Sequence, residues 1–140
     1  MTTVPKIPDQ RTKIVVAFLD GRRLKGYSFN FSALNEFFDL FPQEKSLGDQ
    51  GIKVPLKDVK AVFFVKDFAG NAAYGESQLM ETRGPGRSLE ITFADGEKVR
   101  GRTMGYNPQK IGFFVIPIDP GSNNARIFVV NRNTRQIKPI

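Results

Sequence analysis

The two halves of this chain nearly repeat, and this repetition constrains the fold more than any other feature of the sequence. When the sequence is shifted by 75 residues without gaps, Lys13–Val65 aligns with Ser88–Ile140. Eight of the 53 aligned pairs are identical: Phe18/Phe93, Asp20/Asp95, Gly21/Gly96, Gly26/Gly101, Phe38/Phe113, Pro42/Pro117, Ile52/Ile127 and Val54/Val129. These identities fall on turn glycines and apolar strand positions, which indicates one small supersecondary unit used twice. We therefore predict a flexible arm (1–12), a first unit (13–66), a linker or insertion (67–87) and a second unit (88–140).

Each copy has the pattern of a small antiparallel sheet. Lys13–Leu19 and Arg22–Phe31 flank Asp20-Gly21, and Asp-Gly between two strand-like runs predicts a hairpin with a type I′ turn, whose central residues both need positive φ. Gly26 and Gly101 lie inside the second strand of each copy, where a glycine indicates a bulge or a sharp bend. Three shorter apolar runs complete each copy. The sequence thus predicts an all-β protein of ten strands with little helix.

Composition excludes several classes of function. The chain has no Cys and no His, so disulfides and thiolate metal sites are excluded, and the commonest general base is missing. We therefore expect a non-enzymatic protein without a catalytic site, a metal site or a cofactor. No apolar run approaches the roughly 20 residues that span a bilayer. The first ten residues do not resemble a signal peptide, so we expect a cytoplasmic protein.

The net charge of +7 is unevenly distributed along the chain. Residues 98–140 hold eight basic residues and one acid, Asp119, whereas residues 1–97 are neutral overall. Such an asymmetry favours a polyanionic partner: nucleic acid, an acidic protein or an anionic membrane surface. Solubility without a specific partner is the alternative interpretation.

Strand alternation identifies candidate binding residues. Lys98, Arg100 and Arg102 project from one strand face about 7 Å apart, a spacing that suits the phosphates of a nucleic-acid backbone. An aromatic ring at the end of a bent strand can stack on a base. The predicted nucleic-acid-binding residues are Arg23, Lys25, Lys98, Arg100, Arg102, Tyr106, Arg126, Arg132 and Arg135. The alternative is a charged face that only keeps a sheet edge soluble.

Two adjacent phenylalanine pairs, Phe63-Phe64 and Phe113-Phe114, indicate an interface. Neighbouring residues on a strand face opposite sides, so one ring of each pair points away from its own core. We expect these rings to lie at the contact between the two copies or between subunits. The sequence therefore predicts a pseudo-symmetric pair of units and a homo-oligomer.

Each copy resembles the Sm/Hfq-like barrels, which are strongly bent five-stranded antiparallel sheets. The resemblance rests on Leu24-Lys25-Gly26 and Val99-Arg100-Gly101 after the Asp-Gly turns, and on the closing strands in Ile52–Val65 and Ile127–Ile140. It implies two tandem small barrels and RNA as a partner. Tyr106-Asn107 is similar to the family's base-binding loop, whereas Asn131-Arg132-Asn133 matches its closing Arg-Gly signature only in part.

Two further resemblances concern bacterial domains. Gly105–Asn131 is similar to a bacterial domain of unknown function that is sometimes appended to signalling proteins. Arg83 and Arg87 have the spacing of the arginines in PilZ-type cyclic-dinucleotide receptors, without the second motif of that family. The first functional prediction is thus a module that binds RNA or single-stranded nucleic acid. The alternative is an interaction, assembly or signalling module of a bacterial system, with or without a cyclic-dinucleotide ligand.

Overall fold

A computed structural model of the protein describes residues 12–44, 50–69, 85–119 and 121–140. It contains ten strands: β1 (Lys13–Phe18), β2 (Arg23–Tyr27), β3 (Phe37–Pro42), β4 (Ile52–Pro55), β5 (Val59–Val65), β6 (Arg87–Phe93), β7 (Lys98–Thr103), β8 (Gly112–Pro117), β9 (Asn124–Val130) and β10 (Thr134–Pro139). Short 3₁₀ turns, Leu56–Asp58 and Asn131–Asn133, precede β5 and β10. The predicted arm up to residue 11 and residues 70–84 of the predicted linker lie outside the described residues.

All ten strands belong to one antiparallel sheet, in the order β10-β6-β7-β8-β9-β5-β1-β2-β3-β4. Strands β1–β5, called the first unit, and β6–β10, called the second unit, have the same internal order. The two units are joined by β5 and β9, where Val62 lies opposite Phe128. The prediction of an all-β fold made of two matched five-stranded antiparallel units is confirmed, whereas the prediction that these units form two small barrels is wrong, because all ten strands continue as one sheet. Each unit stays open, because among the described residues no ladder closes β4 onto β5 or β9 onto β10.

The hairpin turns occur where the Asp-Gly pairs predict them, but their type was predicted wrongly. Among the described residues only glycines have positive φ, and these include Gly21 (93°) and Gly96 (92°). The N–H of Gly21 donates to Phe18 O (3.1 Å), so a type I turn leads into a left-handed glycine. Asp20 contributes through its side chain instead, since its Oδ1 accepts the N–H of Arg22 (2.9 Å). The second hairpin repeats both bonds.

Gly26 and Gly101, the predicted bend positions, lie where two strands approach closely. A Cβ on Gly26 would lie 2.3 Å from the carbonyl oxygen of Phe41, and one on Gly101 would lie 2.6 Å from that of Ile116. Phe41 and Ile116 are themselves matched positions of the two units. Both second strands therefore cross the third strand at a distance that only glycine allows.

Two apolar cores lie on opposite faces of the sheet, and each contains side chains of both units. The first core combines ten buried residues of the first unit with Phe128 and Val130 of the second. The second core combines second-unit residues with four first-unit residues: Val15, Ala17, Ala61 and Phe63. Phe64 lies in the first core, so the neighbours Phe63 and Phe64 face different cores. The predicted role of the adjacent phenylalanines at the contact between copies is confirmed.

Candidate functional site

The nine predicted binding residues do not form one patch. Arg23 and Lys25 lie on β2 and are exposed. The guanidinium of Arg23 lies over the ring of Phe63 (5.6 Å to the centroid), and its Nη2 is 3.9 Å from Glu97. Lys25 Nζ donates to the carbonyl oxygen of Phe68 (2.9 Å). Both cations thus have contacts within the protein.

The predicted row on β7 surrounds a buried carboxylate. Glu90 on β6 is 4% exposed. Its oxygens lie 2.9 Å from Arg100 Nε, 3.4 Å from Lys138 Nζ and 3.8 Å from Lys98 Nζ. The hydrogen bond from Arg100 is the main reason why the pKa of Glu90 lies below its usual 4.5. The predicted phosphate-binding row consists of Lys98, Arg100 and Arg102. A phosphate there would have to compete with Glu90 for Lys98 and Arg100.

Two more candidate arginines lie apart from this row. The guanidinium of Arg126 stacks over Phe64 and Phe114, at 4.3 and 4.4 Å from the ring centroids, and covers the edge of the first core. Arg135 Nη2 donates to the carbonyl oxygen of Ala94 (2.7 Å) and so braces the second hairpin. Both side chains are exposed, and both stabilise local structure.

Tyr106 and Arg132 are brought together in a cleft between the two units. The cleft has a volume of about 440 Å³. Its second-unit wall is formed by the connection between β7 and β8, by the 3₁₀ turn Asn131–Asn133 and by β10. The first-unit wall contains the 3₁₀ turn Leu56–Asp58 and the adjoining ends of β3 and β4. We call this site the inter-unit cleft.

The walls of the inter-unit cleft are held by specific contacts. The ring of Tyr106 packs edge-to-face on Phe113, with centroids 4.9 Å apart. Asn131 Nδ2 donates to the carbonyl oxygens of Asn107 and Lys110, both at 2.9 Å. Asn131 therefore fixes the β7–β8 connection, which positions Tyr106 and Lys110 at the cleft.

Sequence reasoning missed two cations of the inter-unit cleft, Lys57 and Lys110, and named Asn131 only within the partial match to the Sm/Hfq signature. Lys57 and Lys110 are exposed, as is Arg132, and none of the three has an ion-pair partner within the described ranges. Glu36 is the one carboxylate among the described residues that line the cleft. Three cations against one acid give the cleft a positive balance, which favours an anionic ligand.

The signal that could have found this site lies in the repeat itself. Tyr106, Asn131 and Thr134 line the cleft, and the matched residues of the first unit are Phe31, Leu56 and Val59. In the first unit this place is filled, since Phe31 packs against four rings: Phe38, Phe64, Phe114 and Phe128. In the second unit the same place is open and lined by polar groups. Polar residues of the second unit at positions that are apolar and buried in the first unit therefore identify the site.

Other kinds of site find less support. In the described ranges no three acidic side chains are grouped so that they could hold a metal ion. No helix in the part of the chain that the structure describes is long and apolar enough to cross a membrane. Arg87 begins β6 and is exposed, whereas Arg83 lies outside the described residues, so the predicted arginine pair is not placed.

The chain belongs to the family of unknown function DUF6982, whose family model matches residues 10–140. This match extends the predicted resemblance to a domain of unknown function over nearly the whole chain. No curated protein and no solved structure matches the chain.

Proposed function

We propose that the protein is a non-enzymatic module that binds single-stranded nucleic acid, RNA above all, in the inter-unit cleft. The observation that carries the proposal is the convergence of Tyr106 with Lys57, Lys110 and Arg132 on one concave surface. These residues come from both units, so the duplication itself creates the site. Proteins that bind single strands combine an aromatic stacking platform with a positively charged groove.

The dimensions of the cleft agree with a nucleotide-sized segment. A volume of about 440 Å³ lies within the range of small-molecule pockets, about 300–1,000 Å³. The ring of Tyr106 supplies a face on which a base can stack, and the three cations can contact phosphates on either side. Base stacking tolerates many sequences, and phosphate contacts make the affinity fall steeply with salt.

Fluorescence anisotropy with a labelled single-stranded RNA tests this proposal and distinguishes the cleft from the β7 row. At about 50 mM salt, Arg132→Glu should weaken binding about tenfold or more, and raising the salt to about 200 mM should weaken binding to the unaltered protein. Arg102→Glu alters the β7 row and should change the affinity less than threefold. Lys13→Glu is the charge-matched control, because Lys13 begins β1 and is not among the residues that line the inter-unit cleft.

Two results would contradict the proposal. A larger loss in Arg102→Glu than in Arg132→Glu would assign binding to the β7 row. Absence of salt-dependent binding to the unaltered protein would reject nucleic acid as the partner.

A second observation favours the alternative of an interaction or assembly module. Leu34, Met104 and Ile116 are 78%, 81% and 56% exposed, and they line another groove of about 500 Å³. Exposed apolar side chains grouped around a groove are typical of protein contacts. For this alternative we propose a second copy of the chain as the partner, which keeps the predicted homo-oligomer. Light scattering should then give a mass above 15.7 kDa that Met104→Glu reduces to that of the monomer; a monomeric unaltered protein would reject it.

A further inference from the structure

The inter-unit cleft holds an acid among its cations. This acid is Glu36, which ends the β2–β3 connection, lines the cleft and is exposed. Its backbone carbonyl oxygen accepts the N–H of Leu56 (2.8 Å), and the next residue, Phe37, lies opposite Pro55 in the β3–β4 ladder. These contacts fix Glu36 on the first-unit wall, beside the 3₁₀ turn that carries Lys57.

The matched residue of the second unit shows that the fold does not need an acid at this position. Ile111 occupies it and lines the second-unit wall of the cleft. Its carbonyl oxygen accepts the corresponding backbone hydrogen bond, from the N–H of Asn131 (2.9 Å). An apolar residue thus makes the same backbone contact, so the backbone structure does not explain the carboxylate of Glu36.

The charges of the cleft indicate which part of a nucleotide this carboxylate can contact. A carboxylate repels phosphate groups, whereas Lys57, Lys110 and Arg132 attract them. Glu36 forms no ion pair in the part of the chain that the structure describes, so it does not neutralise these three cations. A nucleotide that stacks on Tyr106 is therefore bound best when its phosphates face the cations and the edge of its base faces Glu36.

The four bases differ in what their Watson–Crick edges offer to a carboxylate. Proteins that recognise single strands form hydrogen bonds with these edges, and an ionised carboxylate has two acceptor oxygens and no donor. Guanine presents two adjacent donors, N1–H and the N2 amine, which match the two oxygens. Adenine and cytosine place their amine beside a ring nitrogen that is an acceptor, and uracil places its N–H between two carbonyl oxygens. A carboxylate at the edge of the base thus favours guanine.

We infer that Glu36 selects guanine in the inter-unit cleft, by accepting hydrogen bonds from N1–H and the N2 amine of a base that stacks on Tyr106. This inference rests on the proposed function and adds a base preference to it. Stacking and phosphate contacts alone discriminate little between bases. The preference therefore depends on one exposed side chain, which can be replaced without disturbing a core.

Matched strands test the inference on the unaltered protein. A short labelled uridine strand carries guanosine, inosine or adenosine at one central position. Inosine lacks only the N2 amine of guanosine, so it removes one of the two donors and keeps the ring. In fluorescence anisotropy at about 50 mM salt, the guanosine strand should bind at least about fivefold more tightly than the inosine strand. It should also bind more tightly than the adenosine strand.

Glu36→Gln separates recognition of the base from general repulsion of phosphates. The amide keeps the size of the side chain, removes its charge and replaces one acceptor by a donor. If Glu36 only repelled the strand, the variant would bind the guanosine and inosine strands more tightly by the same factor. Our inference requires that the ratio of the two affinities falls to about one.

Asp58→Asn is the matched control for the loss of a charge. Asp58 is also acidic and exposed, and it lies on the same 3₁₀ turn as Lys57, but it is not among the residues that line the cleft. This variant should keep the preference for guanosine over inosine that the unaltered protein has.

Three results would overturn the inference: equal binding of the guanosine and inosine strands, an unchanged ratio in Glu36→Gln, or a ratio of about one in Asp58→Asn as well. In each of these cases nucleic-acid binding in the cleft still stands. If no strand binds the unaltered protein, the proposed function itself fails. The comparison of strands on the unaltered protein decides even if a variant does not fold.

Discussion

The two units meet through apolar side chains, whereas the two ends of the sheet carry charged side chains. Both sets of residues occupy matched positions of the repeat. On β1 and β5 the first unit has Val15 and Phe63, which are buried in the second core. The second unit has Glu90 and Lys138 at the same positions, opposite each other in the β6–β10 ladder. This ladder position is thus apolar where the two units meet, whereas at the β6–β10 end of the sheet it holds the ion pair of Lys138 with the buried Glu90.

The third and fourth strands show the opposite distribution: here the second unit is apolar and the first unit is charged. Phe114 and Phe128 of the second unit lie opposite each other and pack in or against the first core. Asp39 and Lys53 are their matched residues in the first unit, and they also form a ladder pair. This pair lies at the opposite end of the sheet, where β4 is the edge strand of the described sheet.

Each end of the described sheet therefore carries charged side chains at positions that are apolar where the two units meet. Repeat proteins need a polar outer face on their terminal units, because each repeat otherwise presents an apolar face to solvent. Charged side chains at the free faces also discourage edge-to-edge association. In the first unit the matched place is filled in part by Phe114 and Phe128 of the second unit, whereas no strand in the described part of the chain pairs with the outer edge of β10 to supply such rings.

The largest expected effect on stability comes from replacing Phe63, at the contact between the units, by lysine, the residue type found at the matched position 138. Phe63→Lys should lower the free energy of unfolding by at least about 4 kcal/mol, because it removes a buried ring and buries a charge. Urea denaturation measures this loss. The reverse change, Lys138→Phe, is the control: it should leave the protein folded and promote self-association in light scattering. An unfolding midpoint of Phe63→Lys equal to that of the unaltered protein would refute the difference between the faces.

The bend glycines test whether the two units are equivalent. Gly26→Ala and Gly101→Ala should each cost about 2–3 kcal/mol, because the added Cβ meets a backbone carbonyl in both units. Gly105→Ala is a matched control, since a Cβ there meets no atom within 4 Å. Thermal unfolding of the three variants measures the difference. A loss confined to one of the two bend variants would show that the second strands are not equivalent.

Lys60 and Arg135 occupy matched positions, each at a register shift in its ladder, β1–β5 and β6–β10. Replacing either should lower the free energy of unfolding less than the changes above, and the two losses should differ. Lys60 Nζ is buried and binds Asp95 (2.8 Å) and Glu97 on the second-unit hairpin, whereas Arg135 is exposed and contacts its own hairpin. Both acids are half-exposed, so Lys60→Met should cost about 2 kcal/mol and Arg135→Met less than about 1 kcal/mol. If urea denaturation gave the same loss in the free energy of unfolding for both variants, Lys60 would not hold the second-unit hairpin to β5.

The smallest expected effect is a pH dependence specific to the free face. Arg100 holds the pKa of Glu90 below its usual 4.5, so the carboxylate stabilises the fold above that pH. This stabilisation is lost as the pH falls through the lowered pKa. Glu90→Gln should therefore be less stable than the unaltered protein at pH 7, and the difference should disappear well below pH 4. A difference that persists at about pH 2 would indicate packing instead of charge.

Much of the local structure could be predicted from the sequence. The repeat, the hairpins at Asp20 and Asp95 and the bends at Gly26 and Gly101 depend on short-range chemistry, which a single chain displays directly. The turn type was predicted wrongly because Asp-Gly also suits a type I turn with a left-handed glycine. The pattern alone did not distinguish the two.

The pairing of β5 with β9, and with it the inter-unit cleft, could not be predicted in the same way. Which strands meet between copies depends on long-range packing, which spacing along one copy does not reveal. A signal was present in the difference between matched strands: β5 reads VKAVFFV and β10 reads TRQIKP. Only the first is apolar on both faces. The eight candidate cations were chosen by charge, and the structure distributes them over separate places.

Amide hydrogen exchange with and without saturating single-stranded RNA tests the central claim, that the inter-unit cleft is the ligand site. The account predicts slower exchange in residues 106–111, in the 3₁₀ turn Asn131–Asn133 and in the 3₁₀ turn Leu56–Asp58. Slower exchange confined to β7, Lys98–Thr103, would contradict it and assign binding to the row around Glu90.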